Sequence, residues 1–343
     1  MPIGVAIIGA GLFVQEEHLP AVQACGLLSL KAIFSRSEAS ATSLASKESV
    51  DAYFESPDTP GRSIDDLLAR TDVEAVIIAL PIVQQFDYVK KAIAAGKHVL
   101  SEKPIANDVD KAKELIEFYK SCGGSTIWGV AENYRLLPGA LYAAEQLKKI
   151  GGLVQTFKVK LFLRIPDDDR FLATEWRKNP IHQGGFLLDG GIHFVAGLRA
   201  LLAGADEHID EVVAFTSQLD GRTPPFDTVH ALLRTNKGAA GTFSQSFMTE
   251  FKGGFELEVV TQNGAVIFTP VGVEVTTWDG QGGKCTHKVD YQLNHGIKNE
   301  IATFAEGIRK GKLPEVFSPA EALADLCVLQ AMFESNGTLK MIQ

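Results

Sequence analysis

Short apolar runs alternate with helix-like segments over the first third of the chain. Two of these runs, at positions 4–10 and 75–80, are apolar almost throughout, as is typical of strands covered by helices on both faces. The alternation predicts a parallel, doubly wound sheet. The predicted strands cover residues 4–10, 28–35, 51–54, 75–80 and 98–101. The first predicted helix ends near residue 24, and three further helices are predicted at residues 37–46, 63–70 and 84–95.

The second part of the chain changes to long runs of β-forming residues. Turns at residues 235–238 and 262–264 contain Asn and Gly and predict hairpins between these runs. We therefore expect an open, mainly antiparallel sheet with a few helices. The predicted strands cover residues 153–164, 211–218, 228–234, 239–248, 255–261 and 265–270, and the predicted helices cover residues 138–150, 185–202, 295–310 and 319–334.

The change in pattern divides the chain into two domains. A length of 343 residues is more than one typical core requires. We expect an α/β domain at residues 1–125 and an α+β domain at residues 126–343. The last helices are expected to pack back on the first domain.

Charge and composition exclude several classes of protein. The formal net charge is −9 and Lys and Arg form no basic cluster, so a nucleic-acid-binding protein is not expected. We find no apolar segment of about 18 residues that would span a membrane. The apolar N-terminus has neither a basic region nor a cleavage site, which favours a cytoplasmic protein.

The cysteines suggest no special chemistry. Cys25, Cys122, Cys285 and Cys327 lie far apart and form no C-x-x-C pair, which argues against a zinc knuckle or a redox dithiol. We expect four reduced thiols that are mostly buried.

A glycine-containing turn follows the first predicted strand. Gly9 permits a tight turn, and Gly11 lets the backbone approach a pyrophosphate at the start of the next helix. Val14 replaces the third glycine of the G-x-G-x-x-G motif, so a purely structural turn is an alternative. The position between a strand and a helix favours a Rossmann cofactor site that includes Leu12 and Phe13.

The end of the second strand discriminates between NAD and NADP. NAD-binding domains usually carry Asp or Glu there to accept the ribose 2′-hydroxyl group. This chain has Ser35-Arg36-Ser37, in which Arg36 can pair with a 2′-phosphate and both hydroxyl groups can donate to it. In the alternative interpretation, Arg36 is solvated and Glu38 binds the ribose. The sequence favours NADP(H).

Two polar features interrupt otherwise apolar surroundings. Lys103 lies in a Ser-Glu-Lys-Pro run directly after the fifth strand, where ligands bind in such sheets. Asp189 and His193 are four residues apart, on one face of a helix of mostly apolar residues and glycines. The pair is interpretable as a structural hydrogen bond, as a metal site with His182, or as an acid–base site facing a nicotinamide ring. No metal is expected, because no second ligand cluster exists and a nearby lysine would repel a cation.

The chain resembles the glucose–fructose oxidoreductase/inositol dehydrogenase (Gfo/Idh/MocA) family in these runs. The similarity rests on the Glu-Lys-Pro run and on residues 184–193, and it extends over nearly the whole chain. Residues 129–135 and 174–177 are most similar to small fungal NADP-dependent members. One departure is that residues 80–85 read Leu-Pro-Ile-Val-Gln-Gln where a Thr-Pro-Asn-x-x-His run is familiar.

The resemblance implies hydride transfer between NADP(H) and a hydroxyl or carbonyl group of a sugar, polyol or small carbonyl compound. It implies that His193 accepts the hydroxyl proton, that Lys103 stabilises charge on the reacting oxygen, and that Asp189 supports them. It also implies a homodimer formed through the open sheet. It assigns the dinucleotide to residues 1–125 and the substrate and the dimer interface to residues 126–343. Further expected cofactor contacts are Leu80, Pro81, Glu102, Lys103, Trp176 and Arg177, and tentative substrate residues are Asn133, Tyr134 and Arg135.

A non-catalytic NADP sensor is the alternative, because the family includes a transcriptional repressor that kept the fold. The intact set of Lys103, Asp189 and His193 favours the enzyme, since a sensor has no need for all three. An enzyme that retains its NADP through turnover is a third possibility.

Overall fold

The computed structural model describes residues 1–56, 58–124 and 126–342, which divide into two compact units. Unit 1 comprises Met1–Glu132 and Ile297–Leu323, and unit 2 comprises Asn133–Gly296 and Ala324–Gln343. The boundary expected near residue 125 falls on Ser125, which lies outside the described residues. The division into residues 1–125 and 126–343 therefore stays a prediction.

Each unit contains one β-sheet. Within the described residues the strands are β1 (Ile3–Ile8), β2 (Leu28–Phe34), β3 (Asp51–Tyr53), β4 (Ala75–Ile78), β5 (His98–Glu102), β6 (Trp128–Ala131), β7 (Val154–Phe162), β8 (Ile209–Ser217), β9 (Thr228–Thr235), β10 (Ala240–Ser246), β11 (Gly254–Thr261), β12 (Gly264–Thr269), β13 (Gly272–Trp278), β14 (Lys284–Asp290) and β15 (Lys340–Met341).

Helices connect and cover these strands. The α-helices are α1 (Leu19–Ala24), α2 (Glu38–Glu48), α3 (Ile64–Leu68), α4 (Ile82–Ala94), α5 (Val109–Ser121), α6 (Pro138–Ile150), α7 (Glu175–Lys178), α8 (Gly185–Gly204), α9 (Ile297–Lys310) and α10 (Pro319–Ser335). A π-helix (Val14–His18) precedes α1, and two 3₁₀ helices cover Asn133–Leu136 and Glu315–Phe317.

Unit 1 contains a six-stranded parallel sheet in the order β3-β2-β1-β4-β5-β6. Every residue of β1 and β4 is buried, because helices cover both faces of the sheet. The predicted doubly wound sheet is confirmed. The strand order reverses between β1 and β4, and ligands of such sheets bind at the carboxyl ends of the strands at this point.

Unit 2 contains a nine-stranded sheet in the order β14-β13-β12-β11-β7-β10-β9-β8-β15. Strands β7 and β10 pair in parallel, and all the other neighbours pair antiparallel. The predicted open, mainly antiparallel sheet is confirmed. Helix α8 lies against it through glycine: a Cβ at Gly191 would lie 2.9 Å from the side-chain amide nitrogen of Gln245.

Helix α8 corrects one expectation drawn from the sequence. We expected no segment apolar enough to span a membrane, yet Gly185–Gly204 reaches a mean hydropathy of 1.5 over an 18-residue window. Of that window, 67% is buried inside the protein. The core helix of a soluble protein passes the same test, because length and composition do not distinguish a protein core from a bilayer.

The cysteines correct another expectation. All four lie among the described residues, and none forms a disulfide. The expectation that they are mostly buried was wrong, because Cys122 and Cys285 are exposed, and Cys25 and Cys327 are partly buried. Cys122 ends α5 and Cys285 lies on β14, a strand whose side chains are nearly all exposed.

Candidate active site

The glycine turn after β1 is held against the neighbouring strand. Gly9 has φ +132°, and a Cβ there would lie 2.3 Å from the carbonyl oxygen of Ala79. Gly11 is exposed, and a Cβ there would meet no atom within 4 Å. The turn thus fixes the backbone at Gly9 and leaves open space at Gly11. Leu12 and Phe13 follow and lead directly into the π-helix that begins at Val14. These residues fit a dinucleotide pyrophosphate.

The segment after β2 presents one exposed cation. Arg36 is exposed, whereas Ser37 caps α2 by accepting a hydrogen bond from the backbone N–H of Ser40 at 3.3 Å. The hydroxyl oxygen of Ser35 accepts the backbone N–H of Ser37 at 3.3 Å. Both serines therefore shape the turn. The guanidinium of Arg36 is the group of this segment that best fits a phosphate.

Residues 80–85, which follow β4, depart from the Thr-Pro-Asn-x-x-His run, and Gln85 has a structural contact of its own. Pro81 lies at the N-cap of α4, and Leu80 and Pro81 are both partly buried. The buried Gln85 donates from Nε2 to the backbone carbonyl of Glu102 at 3.2 Å. Gln85 thus connects α4 to the end of β5.

Lys103 follows β5, and the Glu102 side chain fixes its backbone. One oxygen of Glu102, Oε2, accepts the Lys103 N–H at 3.2 Å, and the other, Oε1, lies 2.8 Å from Nε2 of His18. His18 is fully buried, and the ring of Phe13 meets it edge-on at 5.2 Å. Sequence reasoning missed His18, because a single histidine at a helical position carries no signal.

Two more carboxyl groups lie near Lys103. Glu132 directly follows β6, and Glu300 lies in the first turns of α9. Burial raises the pKa of the Glu300 carboxyl well above its ordinary value, and the charges of Glu102 and Glu132 raise it further, while Lys103 opposes them. We call Glu102, Glu132 and Glu300 the carboxyl cluster.

Asp189 on α8 forms a buried ion pair with Arg177. Arg177 of α7 donates from Nε to Oδ2 of Asp189 at 2.7 Å, and the Asp189 side chain is only 7% exposed. The guanidinium carbon also lies 4.1 Å from the ring centre of Trp176. Arg177 and Trp176 were expected to contact the cofactor. Within unit 2, Arg177 holds the Asp189 carboxylate, and Trp176 packs against the Arg177 guanidinium.

His193 lies one helical turn after Asp189 and is partly exposed. The ring of Tyr134 stacks on it at a centroid distance of 4.9 Å and an angle of 20°. The other two tentative substrate residues have structural contacts, because Asn133 donates to the carbonyl of His295 at 2.6 Å and Arg135 pairs with Asp325 at 2.5 Å. Tyr134 is the one that lies against the imidazole.

His182 is buried near the same carboxylate. Neither of its ring nitrogens has a hydrogen-bond partner, and its ring lies 6.2 Å from that of Trp176. Burial lowers the pKa of His182, and the charge of Asp189 opposes this shift. Across the described part of the chain, no group of three or more His, Cys, Asp or Glu side chains is arranged to hold a metal ion.

Comparison with known proteins identifies the family. Residues 3–128 match the model for the Gfo/Idh/MocA oxidoreductase family with an NAD-binding Rossmann fold, and residues 145–341 match the C-terminal α/β domain of the same family. The chain belongs to this family. The resemblance inferred from the sequence is therefore confirmed.

Full-length relatives of this Gfo/Idh/MocA oxidoreductase include proteins that are named as dehydrogenases. Dehydrogenase FPY6 of Fusarium mangiferae is 41% identical, over 99% of both chains. D-xylose 1-dehydrogenase (NADP(+)) 2 of Haloferax volcanii is 26% identical, over 97% of both chains. A crystal structure of an oxidoreductase from Thermotoga maritima superposes with a TM-score of 0.87 at 26% identity, covering 100% of this chain and 99% of the other. The chain is thus a nicotinamide-dependent oxidoreductase of small molecules.

Proposed function

We propose that this Gfo/Idh/MocA oxidoreductase transfers a hydride between NADP(H) and a hydroxyl or carbonyl group of a sugar, polyol or small carbonyl compound. The observation that carries the proposal is the sheet edge of unit 1. The glycine turn, Pro81 and Lys103 follow β1, β4 and β5, which are adjacent in the sheet. The glycine turn and Lys103 therefore lie at the carboxyl ends of the two strands that flank β4, where ligands bind in such sheets.

Each proposed catalytic residue has a separate role. The nicotinamide ring supplies the hydride chemistry when the cofactor is bound. We assign to Lys103 the hydrogen bond to the reacting oxygen, where negative charge develops during reduction. His193 takes the hydroxyl proton during oxidation, because imidazole changes charge close to neutral pH. Asp189, held by Arg177, fixes the helix face that carries His193.

Arg36 supports the choice of NADP(H) over NAD(H). No carboxylate stands at the tip of β2, and the exposed guanidinium of Arg36 is suited to bidentate contact with a 2′-phosphate. The name of the xylose-oxidising relative specifies NADP(+), which agrees with this assignment.

Titration with NADPH and NADH, followed by nicotinamide fluorescence, tests this assignment. Wild-type protein is expected to bind NADPH tightly and NADH weakly. Arg36→Ala is expected to weaken NADPH binding by about 10- to 100-fold, because a charge-assisted pair contributes about 1.5–3 kcal/mol. Binding of NADH should stay the same.

Lys120→Ala is the matched control, because it removes an exposed cation that pairs with Glu117 on the surface of α5. Equal losses for both cofactors in Arg36→Ala would contradict the 2′-phosphate contact. Tight NADPH binding without turnover of any aldehyde, ketose or polyol would favour a sensor instead.

We also propose that the protein is a cytoplasmic homodimer formed through the open face of the nine-stranded sheet. Phe215 of β8 and Leu232 of β9 are each 62% exposed on this face. Light scattering is expected to give twice the chain mass of 37.1 kDa. Phe215→Asp combined with Leu232→Asp should shift the mass to that of one chain, and a monomeric wild type would refute the proposal.

A further inference from the structure

The carboxyl cluster lies at the carboxyl ends of two neighbouring strands. Strand β5 ends with Glu102, which pairs with Ala131, the last residue of β6, and Glu132 follows directly. Helix α9, which carries Glu300, packs against α1 and the π-helix that ends with His18. π-Helices are rare and concentrate at functional sites. Three glutamates and a histidine thus converge beside Lys103.

Glu300 is the least solvated member of the cluster. Its exposed fraction is 0%, and neither carboxyl oxygen has a hydrogen-bond partner. An ionised carboxylate in such a place costs several kcal/mol. A neutral carboxylic acid avoids this cost, and the neighbouring charges of Glu102 and Glu132 favour it further.

The charged groups around Glu300 come from all the elements near it. Strands β5 and β6 contribute Glu102, Lys103 and Glu132. The π-helix contributes the buried His18, while its Glu16 is exposed and its Glu17 is partly exposed. Helix α1 carries no charged side chain. Lys103 is therefore the positive group that acts on Glu300 most directly.

We propose that Glu300 is a further positioning residue of the proposed reaction: a carboxylic acid that keeps its proton at neutral pH and whose charge is coupled to the charge of Lys103. The positive charge of Lys103 favours ionised Glu300, so by reciprocity an ionised Glu300 favours charged Lys103. The pair of Glu102 and His18 holds the Lys103 backbone while this coupling operates. The kinetic part of the inference rests on the proposed function, but the proton on Glu300 does not.

Infrared spectroscopy detects this proton without any turnover. A difference spectrum of wild type minus Glu300→Gln at neutral pH is expected to show the carbonyl stretch of a protonated carboxylic acid. Glu306→Gln is the matched control on the same helix, because Glu306 is exposed and paired with Lys310 at 2.7 Å. Its difference spectrum should show no such band. A missing band in the Glu300→Gln difference would overturn the proposal.

Lys103→Met tests the coupling, again without turnover. Removing the positive charge is expected to move the loss of the acid band to higher pH, by about one pH unit or more. An unchanged titration of the band would overturn the coupling even if the band itself is present. Should Glu300→Gln fail to fold, Glu300→Asp displaces the band and identifies it equally well.

The pH profile of kcat gives the kinetic readout. In wild type, ionisation of Glu300 adds a negative charge beside Lys103. Glu300→Gln lacks this charge, so the alkaline decline of kcat is expected at lower pH, by about half a unit or more. Identical pH profiles of kcat for wild type and Glu300→Gln would show that Glu300 has only a structural role. Failure of wild type to turn over any substrate would instead contradict the proposed function, and the infrared results would still decide the coupling.

Thermal unfolding independently tests the direction of the Glu300 pKa shift. Because the pKa of Glu300 is raised in the folded state, its stabilising contribution is complete below the unfolded pKa and is lost as pH rises through the folded pKa. The melting temperature of Glu300→Gln should therefore rise relative to wild type as the pH increases. A difference that stays constant with pH would contradict a titrating Glu300.

Discussion

Replacing Lys103 with Met is expected to lower turnover by about 10²- to 10³-fold, while the NADPH dissociation constant changes by less than about twofold. The reason is that the Lys103 side chain is assigned to charge that develops only in the transition state. Its backbone is fixed separately by Glu102 and should keep its conformation. Steady-state kinetics with the best carbonyl substrate and fluorescence titration with NADPH measure the two quantities.

Two further variants serve as controls for the Lys103→Met result. Lys111→Met removes a cation that is paired with Glu114 on the surface of α5, and it should leave both quantities unchanged. Lys103→Arg keeps the charge but not the compact ammonium group, so it should recover only part of the turnover. Equal losses of turnover and NADPH binding in Lys103→Met would show that Lys103 acts mainly on the cofactor.

The Arg177–Asp189 pair is expected to give the largest effect on stability. Arg177→Met should destabilise the protein by about 3–5 kcal/mol, because it leaves the charge of Asp189 buried without the guanidinium. Asp189→Asn should cost only about 1–3 kcal/mol, since the amide has the same shape and no charge. Adding Asp189→Asn to Arg177→Met should restore part of the loss. Urea unfolding of the four proteins measures the coupling.

An exposed ion pair provides the control for this cycle. Lys149 and Glu145 lie on the surface of α6 with both side chains more than half exposed, so Lys149→Met should change stability by less than about 1 kcal/mol. Strictly additive effects at Arg177 and Asp189 would contradict the burial argument. If Asp189 also supports His193, Asp189→Asn should lower turnover under conditions where the protein remains folded.

Helices and strands were predicted correctly where the local sequence contains a clear signal, such as a residue that begins or ends a helix or a continuous apolar run. Helix α6 has the predicted bounds, because Pro138 occupies its first position and Gly151, at φ +62°, ends it. The buried strands β1 and β4 were recognised from continuous apolar runs, although each ends two residues before its predicted end. Such signals depend only on neighbouring residues.

Two strands and one helix were missed for different reasons. Strand β14 consists almost wholly of exposed side chains, so it shows no alternation of apolar and polar residues. It pairs with β13, which was missed with it. Helix α5 was also not predicted, although its amphipathic pattern and the cap at Asp108 are readable in the sequence.

The candidate site was predictable only one segment at a time. The glycine turn, Lys103 and the Asp189–His193 spacing are local patterns. The contacts of Arg177 with Asp189 and of His18 with Glu102 join residues distant in sequence, and nothing in their local pattern indicates the partner. Glu300 has the same difficulty, because a glutamate on an amphipathic helix is expected to face solvent.

Unit 1 is assembled from two separated parts of the chain, Met1–Glu132 and Ile297–Leu323. During synthesis the ribosome therefore completes all six parallel strands long before it releases the helix that covers the carboxyl cluster. At about 5–20 residues per second, the nascent sheet waits roughly ten to thirty seconds for α9. An N-terminal fragment that ends before Ile297 therefore lacks one of the two parts of unit 1. A truncation that removes everything from Ile297 onward therefore removes part of unit 1 as well as part of unit 2.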